Sequence, residues 1–253
     1  MNSPGTKASE QILERLIITI FKEHKRRYGT RRIVSQLCDE GINVGRERVS
    51  SILKRNNLRA IQPKSFVPKT TTASKHRRSP NLLLNGIDPK GPNQVWVGDI
   101  TYLPLVSGKW CYMSSWLDLW SHVIVGWSVD EHMREGLVID SFTQAELKRK
   151  PTSGIIIHSD GGGQYGSVKF RKIIDQGNYM QSMTRKNNHY DNATAESLFS
   201  RLKAELLEGG IFLSVEDART ECFDYIKGYY NTQRKHSSIG YKKPLQFERE
   251  MGY

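Results

Sequence analysis

Apolar side chains along this 253-residue chain follow two different periods, and the change between them divides it. Leu13, Leu16, Ile17 and Ile20 recur at helical spacing, as do Ile33, Leu37 and Cys38, and then Val49, Ile52 and Leu53. Turn signals at Tyr28-Gly29 and Glu40-Gly41 separate the runs, which predicts three short helices, the last from about Arg46 to Asn56. From Gln62 to Pro80 the stretch QPKSFVPKTTTASKHRRSP has three prolines, many hydroxyls and no apolar period, the composition of a linker. From Val95 onward β-branched and aromatic residues gather into VWVGDITYLP, KWCYMSSWLDL and HVIVGWSV, which predict three consecutive strands.

A helix from about Arg134 to Lys148, a short strand GIIIHS and a helix near Ser167 to Gln176 come next. A strand around Tyr179 to Met183 and a strong helix from about Asn192 to Leu207 complete the series. The order β-β-β-α-β-α-β-α predicts an α/β (α+β) fold, a mixed sheet flanked by helices, with the first three strands antiparallel and the later ones joined by crossovers. Ser214 is placed to cap one more helix, from about Val215 to Lys227. The expected organisation is a small all-α, helix-turn-helix-like module over 1–61, a linker over 62–92, and a core with a helical tail over 93–253.

Charge sharpens this division. The chain has 38 Lys+Arg and 26 Asp+Glu, a formal net charge of +12. All of that surplus lies between Lys22 and Pro80, which carry 16 basic and 4 acidic side chains, while the remainder balances. A block of this kind suits a polyanion, because Lys and Arg hold phosphates by direct contact and counterion release. The third helix carries Arg46, Arg48, Lys54 and Arg55, which suits a helix entering a DNA groove, and Arg31 and Arg32 join the candidate DNA contacts. A plain three-helix bundle with a charged exterior fits the pattern equally well. Cys38, Cys111 and Cys222 lack metal-ligand spacing, so reduced thiols are expected and no zinc module is. No long apolar run and no signal peptide is seen, so no membrane association and an intracellular location are expected.

Three acids stand where acid is conspicuous. Asp99 interrupts an apolar strand; Asp160 follows the strand GIIIHS in the glycine-rich HSDGGGQYGS; Glu196 lies one turn into the strong helix. Singly, each has an ordinary explanation, as a strand polar group, a turn residue and a first-turn dipole partner. Together, strand centre, strand end and helix start converge on one cleft, and carboxylates gathered there repel one another unless a divalent metal neutralises them. Lys203 falls two helical turns after Glu196 on the same face and is a candidate phosphate contact, while Phe199, Leu202 and Leu206 form the buried stripe. His158 and Asp118, near the same strand ends, are candidates to orient the metal ligands or water.

These residues resemble those of the DDE insertion-sequence transposases of the two-frame, copy-out group, specifically their downstream-frame catalytic product. The resemblance runs through YGTRRI, GINVGRERVSSILKRNNLRA, WVGDITYLP, LDLWSHVIVGW, HSDGGGQYGS, SMTRKNNHYDNATAESLFSRLKAEL and the tail FDYIKGYYNTQRKHSSIGYKKP. It implies a ribonuclease-H-like, five-stranded core of retroviral-integrase type, and cleavage and strand transfer at transposon ends. It also implies Mg²⁺, with Mn²⁺ as a substitute, two ions per site. Asp99 would bridge both ions, with Asp160 and Glu196 each on one; two such ions activate the attacking oxygen and stabilise the leaving one. Arg234 and His236, in the YN-x-x-R-x-H segment, become candidate DNA-contact or fold-closing residues.

The implied partners are transposon-end and target DNA, further copies of the chain assembled on that DNA, and an upstream-frame protein. Some positions depart from the family pattern: Gly98 stands where Thr is common, Gly162-Gly163 enriches the second motif in glycine, and Asn187 replaces a frequent Gly. Two other readings stay open from the residues alone. One is a catalytically inactive DNA-binding regulator of the same element; the other is a ribonuclease H or junction nuclease sharing the acids.

Overall fold

The computed structural model describes residues 4–63, 78–84, 86–184 and 193–253, with side chains described at 9–63, 78–84, 86–184, 199–208 and 210–253. It divides into two compact units, Met1–Lys64 and Ser65–Tyr253.

The first unit is three helices, α1 (Pro4–Glu23), α2 (Thr30–Asp39) and α3 (Arg46–Arg55). Their apolar stripes meet: Ile17, Ile20 and Phe21 of α1, Ile33 and Leu37 of α2, and Val49, Ile52 and Leu53 of α3 are buried. Cys38, expected in the α2 stripe, is exposed instead, because Leu37 already closes that face. α2 stops at Gly41, whose φ of +77° opens the left-handed conformation that lets Ile42 N–H reach back to Leu37 O at 2.8 Å. Asn57 does the same for α3, with Leu58 N–H donating to Leu53 O at 2.9 Å.

The second unit is built on five strands, β1 (Val95–Pro104), β2 (Trp110–Asp118), β3 (Ile124–Asp130), β4 (Ile156–Ser159) and β5 (Met180–Met183), in the order β3-β2-β1-β4-β5. β1, β2 and β3 pair antiparallel, and β4 and β5 add in parallel beside β1. The parallel joins need crossovers, supplied by α4 (Glu135–Arg149) between β3 and β4 and α5 (Val168–Gln176) between β4 and β5. One sheet face carries the main core, with Trp96, Trp116, Phe142, Tyr165 and Phe170 buried together. Ser141 of α4 fixes that helix to β2, its hydroxyl lying 2.8 Å from Ser114 Oγ and accepting from Trp116 Nε1 at 3.1 Å. Gly98 belongs to this face: a Cβ there would fall 2.6 Å from the Trp116 ring, so the departure at 98 is what admits the tryptophan opposite.

The remaining helices are α6 (Ala193–Leu206), α7 (Val215–Phe223) and α8 (Pro244–Glu250). Ser214 caps α7, its Oγ accepting from Asp217 N at 3.1 Å. The helix expected to reach Lys227 instead widens after Phe223 into a π-helical turn over Asp224–Tyr230, which buries Tyr225, Ile226, Tyr229 and Tyr230. The end of the expected linker is also different. Pro80 O accepts from Met183 N at 3.2 Å and Leu82 N–H donates to Ser182 Oγ at 2.9 Å, so this stretch is fastened to the edge strand β5. Residues 64–77, the rest of that linker apart from its start, lie outside the described residues.

Candidate active site

Asp99 and Asp160 come together because of strand register. β1 and β4 run parallel with Val97 beside His158, and continuing two residues sets Asp99 level with Asp160 on one sheet face. α6 reaches the same place from outside the sheet: Lys203 Nζ lies 2.9 Å from Asp99 Oδ2. Glu196 lies in the backbone of α6, two turns before Lys203; its side chain is outside the described residues, as is Asn187. Among the described residues, no group of three His, Cys, Asp or Glu side chains gathers as a metal cluster.

The electrostatics of the pair are unbalanced. Asp160 keeps solvent-accessible surface, yet its carboxyl is hemmed in by protein, and this desolvation raises its pKa. The hydrogen bond from Gly162 N, at 2.9 Å to Oδ1, pulls the other way, the charge of Asp99 raises it further, and Arg78 and Lys203 offset part of that. Gly162 is small for a reason: a Cβ on it would sit 2.9 Å from that same oxygen.

Tyr165, which the sequence did not single out, is fully buried against Trp116. Burial, then the charges of Asp160 and Asp99, push its hydroxyl well above the ordinary tyrosine pKa, so a neutral phenol lies close to both acids. Its signal was a tyrosine five residues after a candidate acid, hidden among eleven in the chain.

His158 is buried on the face that carries Asp99, with Nδ1 2.8 Å from Ser182 Oγ on β5. Asp118 is not part of the site. It lies opposite Trp96 and so on the other sheet face, and its carboxylate is occupied in shaping the β2–β3 turn. It accepts from Asn93 N at 2.6 Å and from Trp120 N and Ser121 N, each at 3.0 Å.

The two tail candidates are corrected by burial. Arg234 is 2% exposed and forms a two-pronged ion pair with Glu205 of α6, both Nε and Nη2 at 2.7 Å from its oxygens. His236 is 3% exposed and stacks on His122, with ring centroids 5.5 Å apart. Neither side chain is presented at the surface. With Asn231, which holds both Ile124 N and Ile124 O at 2.9 and 3.0 Å, they close the fold around α6 and β3. Glu205 was missed in the sequence, although it falls in the buried stripe of α6 between Leu202 and Leu206.

In the helical unit, Arg31, Arg46 and Lys54 are exposed. Arg32 donates from Nη1 to Arg27 O at 3.0 Å. Arg48 is ion-paired to Glu10, and Arg55 to Glu14 with Nε–Oε1 at 3.0 Å. The Arg55 hydrogen bond, then that of Asn56, lowers the pKa of Glu14.

The family described as Integrase core domain matches residues 89–189 and, in a second description of the same name, 179–244; an HTH-like domain family matches residues 7–66. A transposase for insertion sequence element IS904 from Lactococcus lactis is 39% identical over 243 residues, covering 94% of each chain. Transposase InsF for insertion sequence IS3A from Escherichia coli is 37% identical over 238 residues, covering 94% of this chain and 82% of its own. The chain belongs to the insertion-sequence transposases. Its sheet and helices also match a chain of the simian T-cell lymphotropic virus intasome with a TM-score of 0.51, at 16% identity over 85% of this chain and 69% of that one, a likeness of fold. The transposase is therefore a polynucleotidyl transferase acting on DNA, with a ribonuclease-H-like integrase core behind a helix-turn-helix-like region. Neither the inactive regulator nor the ribonuclease H reading is favoured by relatives that extend over both units. Among the described residues no helix is long and apolar enough to cross a membrane.

Proposed function

We propose that this transposase cuts and joins DNA strands at Asp99, Asp160 and Glu196. The observation that carries the reading is the convergence of two aspartates at one register of β1 and β4, with α6 drawn to Asp99 through Lys203. The donor set suits a hard divalent cation: Asp99 and Asp160 offer carboxylate oxygens, and the charge of one raises the pKa of the other, a conflict such a cation relieves. Mg²⁺, or Mn²⁺ in its place, would be held by Asp99 and Asp160 with Glu196 completing the set, two ions in all. It would supply Lewis-acid stabilisation of the attacking and leaving oxygens.

The chain's own residues do the rest. Lys203, paired with Asp99, would turn its ammonium to a backbone phosphate of the bound DNA. His158, tied to Ser182, keeps the end of β4 rigid behind Asp160. Arg31, Arg46 and Lys54 of the helical unit contact phosphates directly, Arg32 joins them, and Arg48 and Arg55 do so after leaving their glutamates. Water cuts first at the element end, and the freed 3′ hydroxyl then attacks another phosphodiester. Joining two ends calls for several copies of the chain on DNA, with an upstream-frame protein, or a fusion to it, aiding assembly near the nucleoid in the cytoplasm.

The test is strand joining by purified protein in Mg²⁺ with duplexes taken from the DNA bordering its own gene. Asp160→Asn and Glu196→Gln should each abolish joining while leaving DNA binding intact. Joining by either variant at the wild-type rate defeats the assignment.

A further inference from the structure

The stretch before β1 brings a cation to the acid pair that sequence reasoning placed in a linker. Ser79 Oγ donates to Gln181 Oε1 at 2.8 Å, Pro80 O accepts from Met183 N, and Leu82 N–H donates to Ser182 Oγ, so three neighbouring residues fasten this segment along β5. The residue that precedes them, Arg78, is thereby held at the mouth of the site. Its guanidinium fills the space that a side chain at 161 would occupy: a Cβ built on Gly161 would collide with Arg78 Nη2 and Cζ. Gly161 is not in the left-handed region, so its backbone does not demand glycine; what a side chain there would do is displace the Arg78 guanidinium.

Arg78 is close enough to Asp160 to act on its charge, yet it forms no ion pair with any carboxylate among the described residues. Its one hydrogen bond among them is from Nη2 to Thr184 O, at 3.2 Å. A guanidinium has five N–H donors in a planar fork that matches two phosphate oxygens, and among the described residues most of that donor capacity is unspent. An exposed arginine anchored by one carbonyl among the described residues, beside an Asp160 it does not pair with, is arranged to take an anion.

We propose that Arg78, seated in the gap left by Gly161, is a phosphate-binding residue of the active site that grips the DNA strand beside Asp160. This rests on the reading of Asp99 and Asp160 as the cutting site. It accounts for glycine at 161: the cation comes from the segment before β1, and that position leaves room for it.

The experiment measures binding of duplex from the gene's own borders in EDTA as a function of salt, alongside cleavage in Mg²⁺. Arg78→Ala should lower the slope of log affinity against log salt by about one, as loss of one phosphate contact does, and slow cleavage by about tenfold to a hundredfold. Gly161→Ala, whose methyl evicts the guanidinium, should reproduce both effects and add nothing to Arg78→Ala. Arg78→Ala combined with Gly161→Arg should regain slope and cleavage, which a merely structural role for Arg78 would not allow. An unchanged slope and rate in Arg78→Ala, or fully additive effects of the two single substitutions, overturns the proposal. Asp160→Asn serves as the separate control: if it cleaves as wild type, the site reading has failed, whatever Arg78 does.

Discussion

Lys203 and Glu205 stand two residues apart on α6, about 200° around the helix, and each meets a partner of opposite charge on different terms. Glu205 points inward. It is 1% exposed, takes two bonds from Arg234 and one from Tyr225 OH at 3.0 Å, and belongs to a network in which Arg234 Nη1 also lies 2.8 Å from His236 Nε2. That ion pair holds the Arg234 guanidinium well above its usual pKa against the cost of burial. Lys203 points the other way, to a carboxylate at the cleft, where Asp160 carries a raised pKa beside a second acid. Charges that satisfy one another lock the tail onto α6; charges left in conflict mark where a ligand belongs. The same helix thus carries a structural face and a chemical one.

Substitutions that exchange these roles give the largest effects. Asp160→Asn should reduce strand joining by about a thousandfold or more, since metal-assisted charge stabilisation supplies several kcal/mol. Because the folded state raises the pKa of Asp160, its ionised form opposes folding at neutral pH, so thermal melting in EDTA should occur no lower in this variant than in wild type. A clear fall in melting temperature would mean that the acid pair is structural.

Glu205→Gln should do the reverse. It strands Arg234 in the interior and should cost about 3 to 5 kcal/mol in denaturant unfolding, while Glu205→Leu with Arg234→Met should recover most of that loss. A single Glu205→Gln variant as stable as wild type would remove the tail from its locking role. Gly98→Thr, which drives a side chain into Trp116, should cost about 1 to 3 kcal/mol by overpacking, and Trp116→Leu in the same chain should relieve it.

The smallest effect is a slope. Burial, aided by Arg234, takes His122 down from its ordinary 6.5 to about 4, so the folded state binds fewer protons than the unfolded one between those values. Its contribution is therefore complete above pH 6.5 and is lost as pH falls toward 4, at about 1 kcal/mol per pH unit. Asp118 and Asp160, with raised pKa values, act in the opposite sense. His122→Asn should flatten the acid side of a melting-temperature profile, and an unchanged profile would show that His122 titrates normally.

The strands and helices were legible because their side chains obey period 2 or period 3.6 under burial, and Asp99 was legible because it breaks the first of these. Less visible were contacts fixed by closure of the chain. Arg234 and His236 read as surface residues because their partners, Glu205 and His122, lie 29 and 114 positions away in the sequence. Asp118 sits as close to the strand ends in sequence as His158 does, and sheet register alone reveals that it faces the other side. The π-helical turn over Asp224–Tyr230 has no periodic signature, since four aromatic and aliphatic side chains dictate it by packing. Arg78 was absorbed into a basic run, where composition cannot distinguish the one arginine that meets Gly161.

The ion pairs between α1 and α3 have a kinetic meaning for the helical unit. Arg48 and Arg55 are held by Glu10 and Glu14 at the surface, where water and salt screen such pairs and leave them weak. If Arg48 and Arg55 take phosphates as proposed, each capture would exchange one anion for another, with a local carboxylate waiting to take the arginine back. Under that reading the internal competition would shorten the residence time on a given stretch of DNA more than it slows arrival, and the two glutamates would set how readily the protein lets go and searches on.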